Sequence, residues 1–262
     1  MMSLIQWLND LPVGTGAVLT IGGGIAIAVL GTLIVNFYVT PGQLIVNNII
    51  GGFRYSFLSA VYAGYIGLLL FGVYQKYDDV RSDIVLEINA LTTLDRVATA
   101  YPAATRDQLR KELRDYARAV ATIEWPQMQA RRLTFESSPA LDDLYYTYLA
   151  IEPQTDKEIV AFRFSLQTLQ AVHNNRGNRI RLSYGALTPL LWGVAGVGTL
   201  ISLVFPWFFG SPTISAPLMM STLVATVTMS VFLVILKLSY PFGGDYGILP
   251  SAYVAFAQSS SG

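Results

Sequence analysis

No charged residue occurs between Asp10 and Arg54, from Tyr55 to Gln75, or from Leu182 to Leu236 of this 262-residue chain. Lipid cannot satisfy backbone N–H and C=O groups, so a segment that crosses it must be an apolar helix of about 20 residues. Four segments meet that demand, near residues 14–38, 55–75, 187–208 and 217–238. Composition agrees: 13% of residues are charged, against about 25% in soluble domains. The first span starts too far in, and without a cationic stretch before it, to read as a cleaved signal peptide, so it is expected to remain as a helix.

The charges gather elsewhere. Residues 76–185 hold 15 of the 17 basic and 15 of the 17 acidic residues, which marks a water-facing domain between spans two and three. Lys76, Arg81, Arg176, Arg179 and Arg181 crowd its ends, while the 209–216 connection carries no charge. The positive-inside rule puts this domain, and with four spans both termini, in the cytoplasm. Lys237 fits, since its stem can snorkel to the same surface. The expected organisation is spans one and two over 1–75, a cytoplasmic helical domain over 76–185, spans three and four over 186–240, and a cytoplasmic tail over 241–262.

Within 76–185 the apolar periodicity is helical throughout. Val80, Ile84, Ile88, Leu91, Leu94 and Ala98 extend span two as one long helix, which Pro102 ends. Thr105 and Gln108 form a capping box for a second helix striped by Leu109, Leu113, Tyr116, Val120 and Ile123, closed by Trp125-Pro126. Leu141, Leu144, Tyr145 and Tyr148 mark a third helix after Pro139. Ile159, Phe162, Leu166 and Leu169 mark a fourth after Thr155. The fold class predicted is an all-α membrane protein, four transmembrane helices with a helical cytoplasmic domain between spans two and three.

Several chemistries lack the residues they need. There is no cysteine and one histidine, so disulfides, thiolate chemistry and a histidine-rich metal cluster are absent. Zero net charge gives no field for nucleic acid. No P-loop, dinucleotide-binding, GxSxG or HExxH pattern is present. Gly22, Gly23 and Gly24 lie inside a span, where small residues serve close helix approach. Asp78-Asp79 and Asp142-Asp143 are adjacent, so each pair diverges by about 100° on a helix and forms no acid/base pair. No enzyme activity, metal or cofactor is expected. His173 continues the stripe of the fourth helix and reads as a boundary residue of the core, with a pH sensor as the sharper alternative. Arg176, Arg179 and Arg181 read as topology charges, with an anion-attracting vestibule or a lipid headgroup site as the alternative.

The spans carry no internal charge, which argues against a proton relay or charge-coupled transport. Passive conduction or a structural role is left. Span two has two faces. Ser56, Ala60, Ala63, Gly64 and Gly67 form a small-residue face suited to a close helix contact. Tyr55, Ser59, Tyr62, Ile66, Leu69 and Val73 form the other, polar and aromatic outside and apolar inside, and are the candidate pore lining. Interfacial-belt tyrosines above lipid-facing aliphatics explain the same face equally well. Arg54 near the entrance would favour anions. Conduction by a four-span subunit requires a homo-oligomer with one helix per subunit around an axis.

Asp78-Asp79, Tyr116 through Glu124-Trp125-Pro126, Asn175-Arg176 to Arg181 leading into Leu187-Thr188-Pro189-Leu190-Leu191-Trp192, and Pro241-Phe242-Gly243-Gly244 followed by Pro250 occur in an order that resembles the bestrophin-like family of bacterial membrane proteins, from span two to the C-terminus. Two positions depart from the family pattern: Ser239 stands where an acid is usual, and Tyr253 where a phenylalanine is. True bestrophins are oligomeric anion channels with four spans and cytoplasmic termini. The resemblance therefore implies a homo-oligomeric ion channel of the bacterial inner membrane, with chloride or bicarbonate favoured; the positions of Arg54, Arg176, Arg179 and Arg181 at the two mouths independently make them the candidate anion-attracting residues. Two rivals remain: a non-conducting scaffold or accessory subunit that docks a partner through its cytoplasmic helices, and an ion-driven motor subunit, which would need an acidic partner helix on another chain.

Overall fold

Helix is the only regular structure among the residues described by this computed structural model, 4–132 and 138–259. Among these residues four helices are long and apolar enough to cross a membrane: Val13–Tyr38, Pro41–Ala100, Pro189–Phe208 and Ser215–Leu238. The chain divides into two units. One comprises the residues up to Gln75, Gly185–Ser239 and Gly244–Tyr246; the other comprises Lys76–Tyr184, Tyr240–Gly243 and the residues from Gly247 onward.

The first unit holds the spans. After a short helix α1 (Leu4–Asp10), span one is built from α2 (Val13–Ala17), a π-helical turn over Val18–Gly22, and α3 (Gly23–Tyr38). Span two belongs to α4 (Pro41–Val97), span three is α9 (Pro189–Val204) with a 3-10 turn over Phe205–Phe208, and span four is α10 (Ser215–Leu238). The sequence places the start of span two near 55, but its helix begins at Pro41. Proline is suited to a first helical position, and Thr40 donates its N–H and hydroxyl to Gln43 Oε1 at 3.2 and 3.0 Å. Arg54 therefore lies within the helix, beyond its first turns. Small side chains let α3 and α10 pack tightly: Ala28 and Ala225 are buried together, and the Thr32 and Ser221 hydroxyls meet at 2.9 Å. Of the three consecutive glycines, only Gly24 is used for close approach, since a Cβ there would run into Met229 while Gly22 and Gly23 face open space.

Lys237 does not snorkel. It is buried, and its Nζ donates to the Asn9 and Leu11 carbonyls at 2.8 and 2.6 Å, fixing α1 to the end of α10. Asp245 accepts from the Val13 N–H at 2.8 Å. Gly244 closes this arrangement at φ 66°, a left-handed conformation that costs glycine little, with no room for a Cβ beside the Asn9 carbonyl.

The second unit has its own apolar core. It comprises the later part of α4, α5 (Ala103–Ala119), a π turn over Val120–Glu124, α6 (Trp125–Gln129), α7 (Pro139–Leu149), α8 (Asp156–Ser183) and α11 (Ser251–Gln258). Leu91, Leu94, Leu109, Leu113, Tyr116, Leu144, Tyr148 and Leu169 are fully buried in it. The helix after Pro102 begins at Ala103, two residues before the expected Thr105 cap, with the Arg106 N–H bonded to the Pro102 carbonyl at 2.9 Å. Nor does it stop at Trp125-Pro126. The π turn widens the helix ahead of Pro126, which lacks an N–H to give, and helical structure continues to Gln129. Thr155 caps α8 as expected, accepting from the Glu158 N–H at 3.3 Å. Residues 251–258, expected in a tail, are helical, and Tyr253 is fully buried in this core beside Trp125 and Phe242.

Candidate functional site

Span two meets span three through three tyrosines. In α4, Tyr55, Tyr62 and Tyr65 donate their hydroxyls to the carbonyls of Ser202 (3.3 Å), Ala195 (3.1 Å) and Leu191 (2.9 Å), and Tyr62 also reaches Thr199 Oγ1 at 2.7 Å. Each takes a second lone pair on a carbonyl that helix bonding leaves available. Gly198 makes the approach feasible, because a Cβ there would run into the Tyr62 ring.

The face expected to line a pore packs in part against other helices of the same chain. Tyr55 and Tyr62 are bonded to α9, and Leu69 and Val73 are buried within the same chain. Tyr55, Ser59, Tyr62 and Ile66 line an apolar groove of about 520 Å³ with Leu223, Val227 and other residues of α10. The opposite edge of α4 is bare. Phe53, Phe57, Ala60, Gly64, Gly67 and Phe71 recur at alternating four- and three-residue spacing, and all are exposed, the phenylalanines at 80, 69 and 59%. Gly64 and Gly67 have nothing within 4 Å of a would-be Cβ.

The expected arginine group also divides. Arg176 and Arg179 are buried in the second unit, in a closed charge network. Arg179 reaches Glu87 from Nε (3.1 Å) and Nη2 (3.3 Å), and Glu124 from Nη2 (3.0 Å); Arg176 Nε reaches Glu124 at 2.8 Å. Tyr116 donates to Glu87 Oε1 at 2.7 Å, and Arg179 Nη1 lies 3.4 Å from Met128 Sδ. The Arg179 guanidinium also sits 5.3 Å from the Tyr253 ring centroid. Two carboxylates and two guanidiniums balance, so no surplus positive charge is left here for an anion. Burial pushes the Glu124 carboxyl up, but Arg179 and Arg176 outweigh it and hold it below the ordinary range. Burial lowers the Arg179 guanidinium, and Glu87 and its neighbours more than reverse that, keeping it charged. Burial and Glu87 together push the Tyr116 hydroxyl well up, so it is a permanent donor.

Arg54, Arg181 and His173 are exposed. His173 lies off the buried stripe of α8, which runs through Ala161, Ser165, Leu169, Val172, Arg176 and Arg179. The stripe expected from Ile159 and Phe162 is rotated by about one residue position. No group of three or more His, Asp or Glu that could hold a metal occurs among the described residues.

Sequence comparison identifies a Bestrophin-like domain over residues 23–253. No curated protein matches. Among solved structures, a bacterial bestrophin homologue from Klebsiella pneumoniae bearing a point substitution is similar at TM-score 0.72 and 14% identity, covering 92% of this chain and 97% of the other. The same protein solved by zinc phasing gives 0.69 at 14% identity, over 92% and 96%. A crystal structure described as a membrane protein, also a point variant, gives 0.70 at 14% identity, over 91% and 96%.

Proposed function

The chain belongs to the bestrophin-like family, and on that footing we propose that it forms a homo-oligomeric channel for passive ion conduction in the bacterial inner membrane, with residues 76–185 and both termini in the cytoplasm. The observation that carries the reading is the bare edge of α4. Ala60, Gly64 and Gly67 leave the middle of this edge without side-chain bulk and with open space around them, so copies of it facing an axis would leave a path unfilled. Arranged around an axis, copies of this edge give phenylalanine rings at Phe53 and Phe57 and again at Phe71, separated by a wider small-residue chamber. About 21 Å of helix lies between Phe57 and Phe71. Such rings conduct only when wetted, so they gate. Anion preference rests on exposed Arg54, since Arg176 and Arg179 are neutralised and Arg181 shares a crevice with Asp79 and Asp83; chloride and bicarbonate are the ions to try first.

The absence of cysteine makes the test direct. Gly64→Cys and Tyr62→Cys are introduced separately, and flux from liposomes is recorded before and after a charged thiol reagent. Modification at Gly64 is expected to change flux and modification at Tyr62 to leave it unchanged. The reverse pattern moves the path to the inward groove. A defined oligomer without flux in any ionic condition favours the scaffold reading.

A further inference from the structure

Between α4 and α8 in the second unit lies a polar crevice of about 240 Å³, lined by Lys76, Asp79, Ser82 and Asp83 on α4 and by Asn178 and Arg181 on α8. Its lining is of both signs. A metal cation placed there would face an ammonium and a guanidinium, and a simple anion would face two carboxylates; a group with separated positive and negative ends suits all four. In the sequence, Lys76 is the first charged residue after the charge-free stretch 55–75, and Arg181 the last before the stretch 182–236. Both therefore belong at the level where phospholipid headgroups lie, and Lys and Arg at that level bind headgroups. At about 240 Å³ the crevice can hold a polar group several times the volume of a water molecule, which leaves room for a zwitterionic headgroup.

We propose that this crevice binds the phosphoethanolamine headgroup of a membrane phospholipid, Lys76 and Arg181 taking the phosphate and Asp79 and Asp83 the ammonium. Ser82 and Asn178 add neutral hydrogen-bonding capacity, and Asn178 Nδ2 already lies 3.4 Å from Asp83 Oδ1. A primary ammonium donates hydrogen bonds to carboxylates, whereas the trimethylammonium of choline has none to donate, and a glycerol headgroup has no positive end. The site thus discriminates among headgroups and does not merely collect negative charge. It does not depend on whether the protein conducts.

The test is lipid retention in native mass spectrometry. Purified full-length protein in detergent is offered equal amounts of phosphatidylethanolamine, phosphatidylcholine and phosphatidylglycerol with identical acyl chains. Phosphatidylethanolamine is expected to be retained over both others. Asp79→Asn and Arg181→Gln should each cut that retention about tenfold, the size of a lost charge-assisted contact, while Arg181→Lys keeps most of it. Size-exclusion profile and helical signal identify any variant that fails to fold, in which case the headgroup preference of the unsubstituted protein, which needs no variant, decides. Equal retention of all three lipids, preference for phosphatidylglycerol, or a folded Asp79→Asn that retains phosphatidylethanolamine like the parent would overturn the proposal. Soluble phosphoethanolamine should displace the retained lipid. Binding of the soluble compound without lipid retention would refute the lipid assignment.

Discussion

Arg179 is fully buried with every guanidinium nitrogen engaged, and its worth lies in what its removal would strand. Arg179→Ala leaves Glu87 and Glu124 desolvated and uncompensated, a change expected to destabilise the second unit by about 3–5 kcal/mol; a thermal or urea transition within 1 kcal/mol of the parent would refute that estimate. Glu124 adds a pH dependence of known sign. Its folded carboxyl titrates below its unfolded value, held there by Arg179 and Arg176 against burial. Its stabilisation is therefore complete above the unfolded carboxylate range of about 4.3 and is lost as pH falls through the folded value. Melting temperature should hold from neutrality to about pH 5 and then drop, and Glu124→Gln should start lower and show a shallower acid limb. The sequence carried a signal for this network: Glu87 falls in phase with Val80, Ile84, Leu91 and Leu94, and Arg176 and Arg179 continue the phase of Leu169 and Val172. A charge at a core-phase position calls for a buried partner. Which partner is not legible, because Glu87 and Arg179 are 92 residues apart and only the fold brings them together.

At the scale of elements, helix identity was readable and helix orientation was not. The four spans and the segments before Pro102, after Pro139 and after Thr155 follow from hydropathy and capping chemistry. The run through Trp125-Pro126 and the helix at 251–258 do not, since the first depends on a π turn and the second on packing against Trp125 and Phe242. In a span, moreover, both faces are apolar whether they meet lipid or protein, so hydropathy cannot say which face of α4 is inside. The deciding residues are the tyrosines and the glycine opposite them. Gly198→Ala should force Tyr62 off its Ala195 and Thr199 partners and destabilise the α4–α9 contact by about 1–3 kcal/mol, as overpacking does. Gly196→Ala, at a position with open space, should be neutral within about 0.5 kcal/mol. Equal effects of the two substitutions on unfolding in mixed micelles would show that the close approach at Gly198 does not matter.

For the whole molecule, the all-helical class with four apolar helices was legible, and the path proposed for ions was not, because a path around a symmetry axis is a property of several copies. One subunit reveals only which edge of α4 its own helices leave uncovered, the edge of Phe53, Phe57, Gly64 and Phe71. If that edge lines the axis, its phenylalanine rings are the barrier to water and hence to ions. Taking about 1.5–3 kcal/mol as the hydrophobic contribution of one such side chain, Phe57→Ser or Phe71→Ser should raise ion flux on the order of tenfold or more, with the double variant exceeding either. Ile66→Ser, on the inward face, should change flux little. Liposome flux with matched protein incorporation decides between the faces: unchanged flux in both phenylalanine variants together with increased flux in Ile66→Ser would return the path to the groove between α4 and α10, the face that carries Tyr55, Ser59 and Tyr62.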